Sequence, residues 1–259
     1  MRIIAIANQK GGSAKTTTAV NLAASLARRD RRVLLIDLDG QCSATRWCGV
    51  SPDQGDQDGI YAVFNDEVGL AEIVMPTRMD GVFLAPASPR LSNIERVMAA
   101  EPLPQMTLQN QLSTLSDDWD EVLLDCPPQL GLMTVNALVA ADEVLVPVEI
   151  SVMALQGLMQ LLNTVEKVRA TLNRDLVVRG ILPCRADLRT NIARQAIDNL
   201  REEFGDRVLT TVIKENVRLK EAPRFCESIF TYAPDSPGAA DYRALGDELL
   251  DRHREAVPQ

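Results

Sequence analysis

The amino-acid sequence predicts an α/β protein with a doubly wound, mostly parallel sheet. Three observations favour this fold class. Short apolar runs recur without the alternation of a half-exposed strand, as expected for strands covered on both faces. Segments with apolar residues at helical spacing separate these runs. A glycine-rich loop, Lys10 to Thr17, directly follows the first run, and such sheets bind their ligands at the carboxyl ends of the strands.

The strand and helix patterns follow one another along most of the chain. Apolar runs predict strands over residues 3–7, 33–37, 82–85, 121–125, 143–147, 177–182 and 208–213. Helical spacing predicts helices over residues 16–27, 105–115, 132–140, 153–171, 190–204 and 238–252. Residues 49–80 are acidic and weakly patterned, and we expect them to form surface structure.

The composition predicts a single domain over residues 1–259. Apolar residues make up 46% of the 259 and aromatic residues only 4%, which suits one large aliphatic core. No stretch has the composition of a linker. The chain begins inside a strand pattern, and no apolar run approaches the ~20 residues of a membrane span. We therefore expect a soluble cytoplasmic protein that does not bind membranes.

The cysteines give no sign of a metal or redox site. They show no C-x-x-C spacing, and His253 is the one histidine that could join them. Free thiols are the default for such a pattern, and we expect them at Cys42, Cys48, Cys126, Cys184 and Cys226.

Charge is unevenly distributed. The net charge is −9, which argues against indiscriminate binding to DNA. Residues 165–230 nevertheless contain 13 Lys/Arg against 10 Asp/Glu, a local charge of +3, which leaves −12 for the rest. This asymmetry predicts a basic face on an acidic body.

The glycine-rich loop has the features of a phosphate-binding loop. Backbone N–H groups from Gly11 through Gly12, Ser13 and Ala14 to Lys15 would face phosphates at the positive end of the following helix. Lys15 would reach the outer phosphates, and the hydroxyl of Thr16, followed by Thr17, would ligate magnesium. Lys10 is a second lysine that this chemistry does not require.

The loop departs from the general pattern G-x-x-x-x-G-K-[ST] at both glycine positions. Gln9 and Ala14 occupy them. If position 14 needs a positive φ, an alanine there costs about 1 kcal/mol or more. We therefore expect nucleotide binding to survive and turnover to be slow or altered.

Three aspartates are predicted at the same edge of the sheet. Asp37 and Asp39 end the second strand run, and either could hold magnesium through water or orient an attacking water. Asp125 ends the run 121–125, and its carboxylate would hold the magnesium shell through water opposite Thr16.

As a set, these motifs resemble the ParA-type partition ATPases of the deviant-Walker family, and most closely the small Soj-like members. The similarity runs almost end to end. It is carried by residues 8–12, 37–41, 125–131, 163–165, 189–191, 212–223 and 232–242.

The resemblance implies a role for each matching residue. Lys10 corresponds to the signature lysine that crosses a dimer interface to the partner's nucleotide, and Lys15 to the general phosphate-loop lysine. Thr16 corresponds to the magnesium ligand, Asp125 to the Walker B aspartate and Asp39 to the aspartate that positions the hydrolytic water. ATP and Mg²⁺ are the implied cofactors, and a homodimer is the implied assembly.

The resemblance also implies binding of DNA without sequence preference, through Arg189 and Arg218. Arg185, Lys220 and Arg224 join them as candidates because they fall in the basic region. Contacts to adenine are implied for Pro183, Lys214, Glu215 and Asn216.

The implied function is an ATP-dependent positioning switch at the nucleoid. A ParB-like protein or another cargo adaptor would stimulate hydrolysis and release the protein from DNA. Ser151-Val152-Met153 resembles the carboxysome-positioning, McdA-like branch, and Ser13-Ala14, Gly40 and Lys214-Glu215 also depart from the usual family residues. The cargo is therefore left open between a chromosome, a plasmid and a protein organelle such as the carboxysome.

Two other functions use the same fold. A MinD-like ATPase cycles on membranes through a basic amphipathic terminal helix, whereas residues 244–255 are acidic. A metabolic enzyme, such as an ATP-dependent ligase or an iron–sulfur reductase, would need a substrate pocket or cluster cysteines that the sequence does not indicate.

Overall fold

A computed structural model describes residues 1–52, 59–116, 118–150 and 154–256. The start of the helix expected from residue 153, and the segment Ser151-Val152-Met153, lie outside the described residues. Within the described part, the strands are β1 Arg2–Ile6, β2 Val33–Asp37, β3 Met75–Pro76, β4 Val82–Ala85, β5 Glu121–Asp125, β6 Glu143–Glu149, β7 Val177–Ala186 and β8 Ile213–Lys214.

The helices follow the predicted positions for the longer elements. They are α1 Lys15–Ala27, α2 Ser43–Trp47, α3 Ile60–Phe64, α4 Leu70–Ile73, α5 Ile94–Val97, α6 Thr107–Leu112, α7 Leu132–Ala140, α8 Ala154–Thr171, α9 Asn191–Phe204, α10 Val217–Glu221, α11 Ile229–Tyr232 and α12 Pro237–Ala256. α7 has the predicted bounds, and α9 begins after Thr190, whose hydroxyl accepts the N–H of Ala193 as an N-cap.

The strands form one sheet in the order β3-β4-β2-β5-β1-β6-β7-β8. All neighbouring pairs are parallel except β3 and β4, which are antiparallel. The order reverses around β1, so β2, β5 and β1 end side by side at the carboxyl edge. The predicted doubly wound, mostly parallel sheet is confirmed.

Both faces of the sheet are buried, which explains why the strands lack alternation. In β2, Leu34 and Ile36 belong to the apolar cluster that includes α3, α6, α7 and α8. Val33 and Leu35 belong to the opposite cluster, with α1, α11 and α12. Helices therefore cover each face, as the apolar runs predicted.

Two predictions about secondary structure are wrong. Within 208–213 only a single bridge from Val208 to Ile181 and the start of β8 pair with the sheet. The amides of Thr210 and Thr211 instead donate to the Glu248 carboxylate of α12. A side chain distant in sequence takes the hydrogen bonds that a strand would have used.

The expectation of surface structure over 49–80 is also wrong for part of that segment. Ile60, Val63 and Leu70 are fully buried in the core beside the sheet. The α3 and α4 helices that carry them are too short for their apolar spacing to stand out from an acidic background.

A cluster of buried charges joins strands at the amino edge of the sheet, opposite the phosphate loop. Arg2 donates from Nε and Nη2 to Glu121 at 2.7 and 2.9 Å, and both side chains are about 5% exposed. Arg179 and His253 both contact Glu143, whose other oxygen lies 3.8 Å from Arg2. This cluster connects β1, β5, β6 and β7 to the end of α12.

Glu121→Ala should lower the free energy of unfolding by about 3 kcal/mol, because Arg2 would remain buried with only a hydrogen bond to the Leu249 carbonyl and a longer contact to Glu143. Chemical denaturation measures this change. Glu166→Ala is the control, since it breaks an exposed pair with Arg169 and should cost less than about 1 kcal/mol. Equal effects of the two substitutions would contradict the assignment of the Arg2–Glu121 pair as a structural contact.

Candidate nucleotide site

A cavity of about 560 Å³ opens at the carboxyl edge of the sheet, beside the ends of β1, β2 and β5. The phosphate loop forms one wall, and the segment after β8 forms the opposite wall. The lining residues are Gly11, Gly12, Ser13, Ala14, Lys15, Thr16, Thr17, Asp39, Gln41, Ser43, Pro128, Arg185, Ile213, Lys214, Glu215, Asn216, Leu219, Lys220, Pro223 and Tyr242.

The backbone of the phosphate loop changes handedness twice. Gly12 has φ 75° and Ala14 has φ 69°, whereas Ser13 between them has a negative φ. Alternation of this kind turns successive N–H groups toward one concave side, where they can bind an anion. Ala14 is the N-cap of α1, and no described side chain caps this helix, so its first N–H groups face the cavity edge.

Lys15 forms the floor of the cavity, and the buried Asp125 lies near it at the end of β5. Lys15 is 7% exposed, and its Nζ donates to the Lys10 carbonyl at 3.3 Å. Burial lowers the pKa of Lys15, while the charge of Asp125 opposes that shift. Burial raises the pKa of Asp125 well above its ordinary value, Asp37 raises it further, and Thr16 and Lys15 act in the opposite direction.

The residues around Asp125 fit a divalent cation. Asp125 is fully buried, and neither of its oxygens has a well-aligned hydrogen-bond partner among the described residues. Buried polar atoms without partners commonly mark a place for an ion or water, and carboxylate and hydroxyl oxygens are ligands that magnesium prefers. Asp125 and Thr16 are thus the residues suited to a magnesium ion and its water shell.

The structure separates the roles of the two aspartates that follow β2. The Asp37 carboxylate is fully buried and accepts hydrogen bonds from the N–H and hydroxyl of Thr45 at 2.8 and 2.7 Å, and from the N–H of Asp39 at 3.1 Å. Burial raises its pKa to about 6. Asp39 instead lines the cavity. Asp37 therefore holds α2 in place, and Asp39 is the carboxylate available for chemistry.

Gly40 has a steric reason to be glycine. A Cβ at this position would lie 2.6 Å from Ser92 Oγ and 3.0 Å from the Ser92 backbone nitrogen. The 3₁₀ turn Pro89–Asn93 therefore packs directly on the loop that carries Asp39.

Lys10 occupies a different environment from Lys15. Its side chain is 39% exposed, and Nζ lies 2.7 Å from Glu149 Oε2 at the end of β6. Glu149 Oε1 lies 3.0 Å from Arg185 Nη1, and the same arginine nitrogen donates to the Gly12 carbonyl at 3.4 Å. Glu149 is a site residue that the sequence reasoning missed, because the phosphate-loop pattern does not extend to β6.

The opposite wall contains most of the residues expected to contact adenine. Lys214 forms an ion pair with Asp241, and its N–H also donates to that carboxylate at 2.9 Å. Glu215 pairs with Lys220 at 2.6 Å, and Asn216 caps α10 by accepting the N–H of Arg218. All but Asp241 and Arg218 line the cavity.

Two residues change the expected composition of this wall. Pro183 is buried inside β7, which continues to Ala186, and it is not among the lining residues, so its contact with adenine stays a prediction. Tyr242 was not anticipated. It is fully buried at the cavity, and its hydroxyl lies 3.3 Å from the Thr18 hydroxyl on α1. Only the packing of α12 on α1 brings it there.

The basic residues expected to bind DNA divide into two groups. Arg185 and Lys220 line the nucleotide cavity, although both side chains are also partly exposed to solvent. Arg189, Arg218 and Arg224 are exposed, and the first two pair with Asp187 and Glu221 respectively. The Arg189 side chain is 90% exposed.

The fold and the loop define a P-loop nucleotide-binding protein, because the loop connects a buried strand to a helix and ends in Lys-Thr. Residues 1–178 match the family described as AAA domain. The chromosome-partitioning ATPase Soj of Thermus thermophilus is 46% identical over 256 residues, 99% of this chain and 98% of that protein. The chromosome partitioning protein ParA of Myxococcus xanthus is 41% identical, covering 100% of this chain and 91% of that protein. The chain belongs to the ParA/Soj family of partition ATPases.

Solved structures share the same fold. Cobyrinic acid a,c-diamide synthase of Mycobacterium smegmatis, with bound ADP and magnesium, has a TM-score of 0.87 at 32% identity, covering 99% of this chain and 97% of that one. McdA of Cyanothece without nucleotide has a TM-score of 0.87 at 24% identity, covering 98% and 99%. This second similarity concerns the fold alone. Within the described ranges, no helix combines the length and hydropathy needed to cross a membrane.

Ala14→Gly should raise the free energy of unfolding by about 1 kcal/mol, because glycine adopts a φ of 69° without the steric cost that alanine meets. Thermal or chemical denaturation without nucleotide measures this. The control Ala244→Gly, in the exposed face of α12, should lower stability by about 1 kcal/mol. A loss of stability at both positions would show that the backbone at Ala14 is not strained.

Proposed function

We propose that this protein is an ATP-dependent partition switch. It binds ATP with Mg²⁺, closes into a homodimer that encloses the nucleotides, and in that form binds nucleoid DNA without sequence preference. A partner protein then stimulates hydrolysis and releases it. The observation that carries the proposal is the contrast between a buried Lys15 inside the cavity and a half-exposed Lys10 at its rim.

The two lysines are suited to contact nucleotides that are bound by different subunits of the dimer. Lys15 begins α1 and lies beside Asp125, so its ammonium serves the phosphates bound by its own subunit. Lys10 has its ammonium outside this floor, on the solvent side of Glu149. A second subunit placed over the cavity would bring its nucleotide within reach of Lys10. Dimerisation then completes each site.

Hydrolysis would use groups that already surround the cavity. Magnesium neutralises phosphate charge during transfer of a phosphoryl group to water. Thr16 and Asp125 would hold the ion, and Asp39 would orient the attacking water, because its carboxylate lines the cavity while Asp37 is committed to Thr45. Lys10 and Lys15 would stabilise negative charge on the phosphates.

DNA binding is proposed for the exposed arginines Arg189, Arg218 and Arg224. Arginines that contact phosphates give sequence-independent affinity that falls with salt. A dimer would present two such surfaces, and linking two weak sites raises avidity without new contacts. Such avidity would make DNA binding depend on ATP, and we expect the ATP-bound dimer at the nucleoid.

A chromosome is the cargo that the relatives favour. Proteins 41% and 46% identical over nearly the whole chain are named for chromosome partitioning, whereas McdA is 24% identical. The activating partner would be a ParB-like protein or another adaptor bound to the cargo.

A metabolic ATP-dependent enzyme is the second candidate, because the amidation enzyme from Mycobacterium smegmatis is 32% identical. An enzyme of this class would transfer the phosphoryl group to an organic substrate, whereas the switch transfers it to water. Assay of the purified protein for free phosphate, with and without DNA, separates the two functions. Release of phosphate without an organic acceptor, stimulated by DNA and a partner, supports the switch.

Lys10→Ala should abolish the ATP-dependent dimer and DNA binding while the monomer binds ATP within about threefold of the wild type. Lys15→Ala should weaken ATP binding itself by more than about tenfold, because it removes a buried charge. Titration with a fluorescent ATP analogue and analytical ultracentrifugation measure the two properties. DNA binding that is equal with ATP, with ADP and without nucleotide would contradict the proposed switch.

Arg189→Ala should weaken DNA binding of the ATP-bound dimer and lower the slope of log K against log salt by about 2, one phosphate contact for each subunit. Fluorescence anisotropy at several salt concentrations measures this slope. Arg31→Ala is the matched control, since Arg31 precedes β2 at the opposite edge of the sheet and pairs with Asp120. An unchanged slope for Arg189→Ala would remove this residue from the interface.

A further inference from the structure

Glu149, the last residue of β6, has a different cation on each carboxylate oxygen. Oε2 lies 2.7 Å from Lys10 Nζ, and Oε1 lies 3.0 Å from Arg185 Nη1. The Glu149 side chain is 22% exposed, against 39% for Lys10 and 40% for Arg185. The carboxylate therefore lies beneath two cations at the rim of the nucleotide cavity.

Arg185 reaches this position through an unfavourable backbone conformation. Its φ is 54°, at a shift in register between Cys184 and Ala186. A left-handed conformation of a residue other than glycine costs on the order of 1 kcal/mol and persists only where the surroundings impose it. Here it directs the guanidinium back to the Gly12 carbonyl and to Glu149. Such strain next to a phosphate loop indicates a functional position.

The backbone of Lys10 is held independently of its side chain. Its N–H donates to Asn8 Oδ1 at 3.2 Å, and Asn8 Nδ2 donates to the Pro147 carbonyl at 2.6 Å. The Lys10 carbonyl accepts from Lys15 Nζ. The backbone of Lys10 is therefore positioned by contacts that do not involve Glu149.

We propose that Glu149 is a specificity-determining residue that makes dimerisation depend on a nucleoside triphosphate. The inference rests on the proposed function, in which Lys10 contacts the nucleotide of a second subunit. Phosphate oxygens and Glu149 compete for the same cations, and the carboxylate also repels phosphates at the cavity rim. A triphosphate carries more charge than a diphosphate, so it competes better for Lys10 and Arg185.

Glu149→Gln keeps the size of the side chain and removes its charge. The ATP concentration for half-maximal dimerisation should fall about threefold to tenfold, the scale of two partly exposed ion pairs. ADP should then support dimerisation that the wild type does not show. Sedimentation velocity across ATP and ADP titrations measures both effects, and a melting curve checks that the variant is folded.

Asp247→Asn is the matched control. It removes the same charge from an ion pair on α12, where Arg29 Nε donates to Asp247 at 2.9 Å, at the far end of α1 from the phosphate loop. Its nucleotide dependence should equal that of the wild type. An equal gain in both variants would show that net charge, and not Glu149, sets the threshold, and would overturn the inference.

The remaining outcomes separate this inference from the proposed function. A wild type that dimerises with ATP, together with a folded Glu149→Gln that needs the same or more ATP, overturns the role of Glu149 alone. A wild type that stays monomeric with ATP contradicts the proposed function. Even then, Glu149→Gln in a Lys10→Ala background should bind ATP more tightly through Arg185, and unchanged affinity there overturns the inference.

Discussion

The parallel register of β2, β5 and β1 is the constraint on which the site depends. Asp37 lies opposite Asp125, and Asp125 lies opposite Ile6, the last residue of the strand that leads to the phosphate loop. Because these three strands end at the same level, the phosphate loop and the carboxylates of Asp37 and Asp125 lie close together. At the other edge, the buried ion pair of Arg2 with Glu121 connects β1 to β5, and the pair of Arg179 with Glu143 connects β7 to β6.

The polar groups of the site differ in hydrogen bonding and in burial, and these differences separate their functions. Asp37 and Asp125 are both fully buried, yet Asp37 accepts three hydrogen bonds whereas the oxygens of Asp125 have no well-aligned partner within the described residues. A satisfied carboxylate holds structure, and an unsatisfied one beside Lys15 provides a place for a cation. The same distinction separates Lys15, buried in the floor, from Lys10 at the rim.

Three residues at or near the cavity have a left-handed backbone. Ala14, Cys42 and Arg185 all have positive φ, and each lies at a strand end or at the start of a helix near the site. Local strain of this kind must be offset by the packing of the whole sheet. At Ala14, this conformation turns the first N–H groups of α1 toward the cavity wall that the phosphate loop forms. At Arg185, it directs the guanidinium toward the Gly12 carbonyl of that loop.

The sequence by itself determined the fold class, the phosphate loop and the carboxylate at the end of β5, because local apolar patterns and short motifs encode them. It determined the basic character of residues 165–230 but not where each cation lies. Tertiary structure alone decided that Asp39 and not Asp37 faces the cavity, that Arg185 and Lys220 line it, and that Pro183 does not. It also placed Glu149 and Tyr242 at the site. Glu149 lies 139 residues from its partner Lys10, and Tyr242 lies 224 residues from its partner Thr18. Contacts between residues so far apart depend on strand order and helix packing, which no local pattern records.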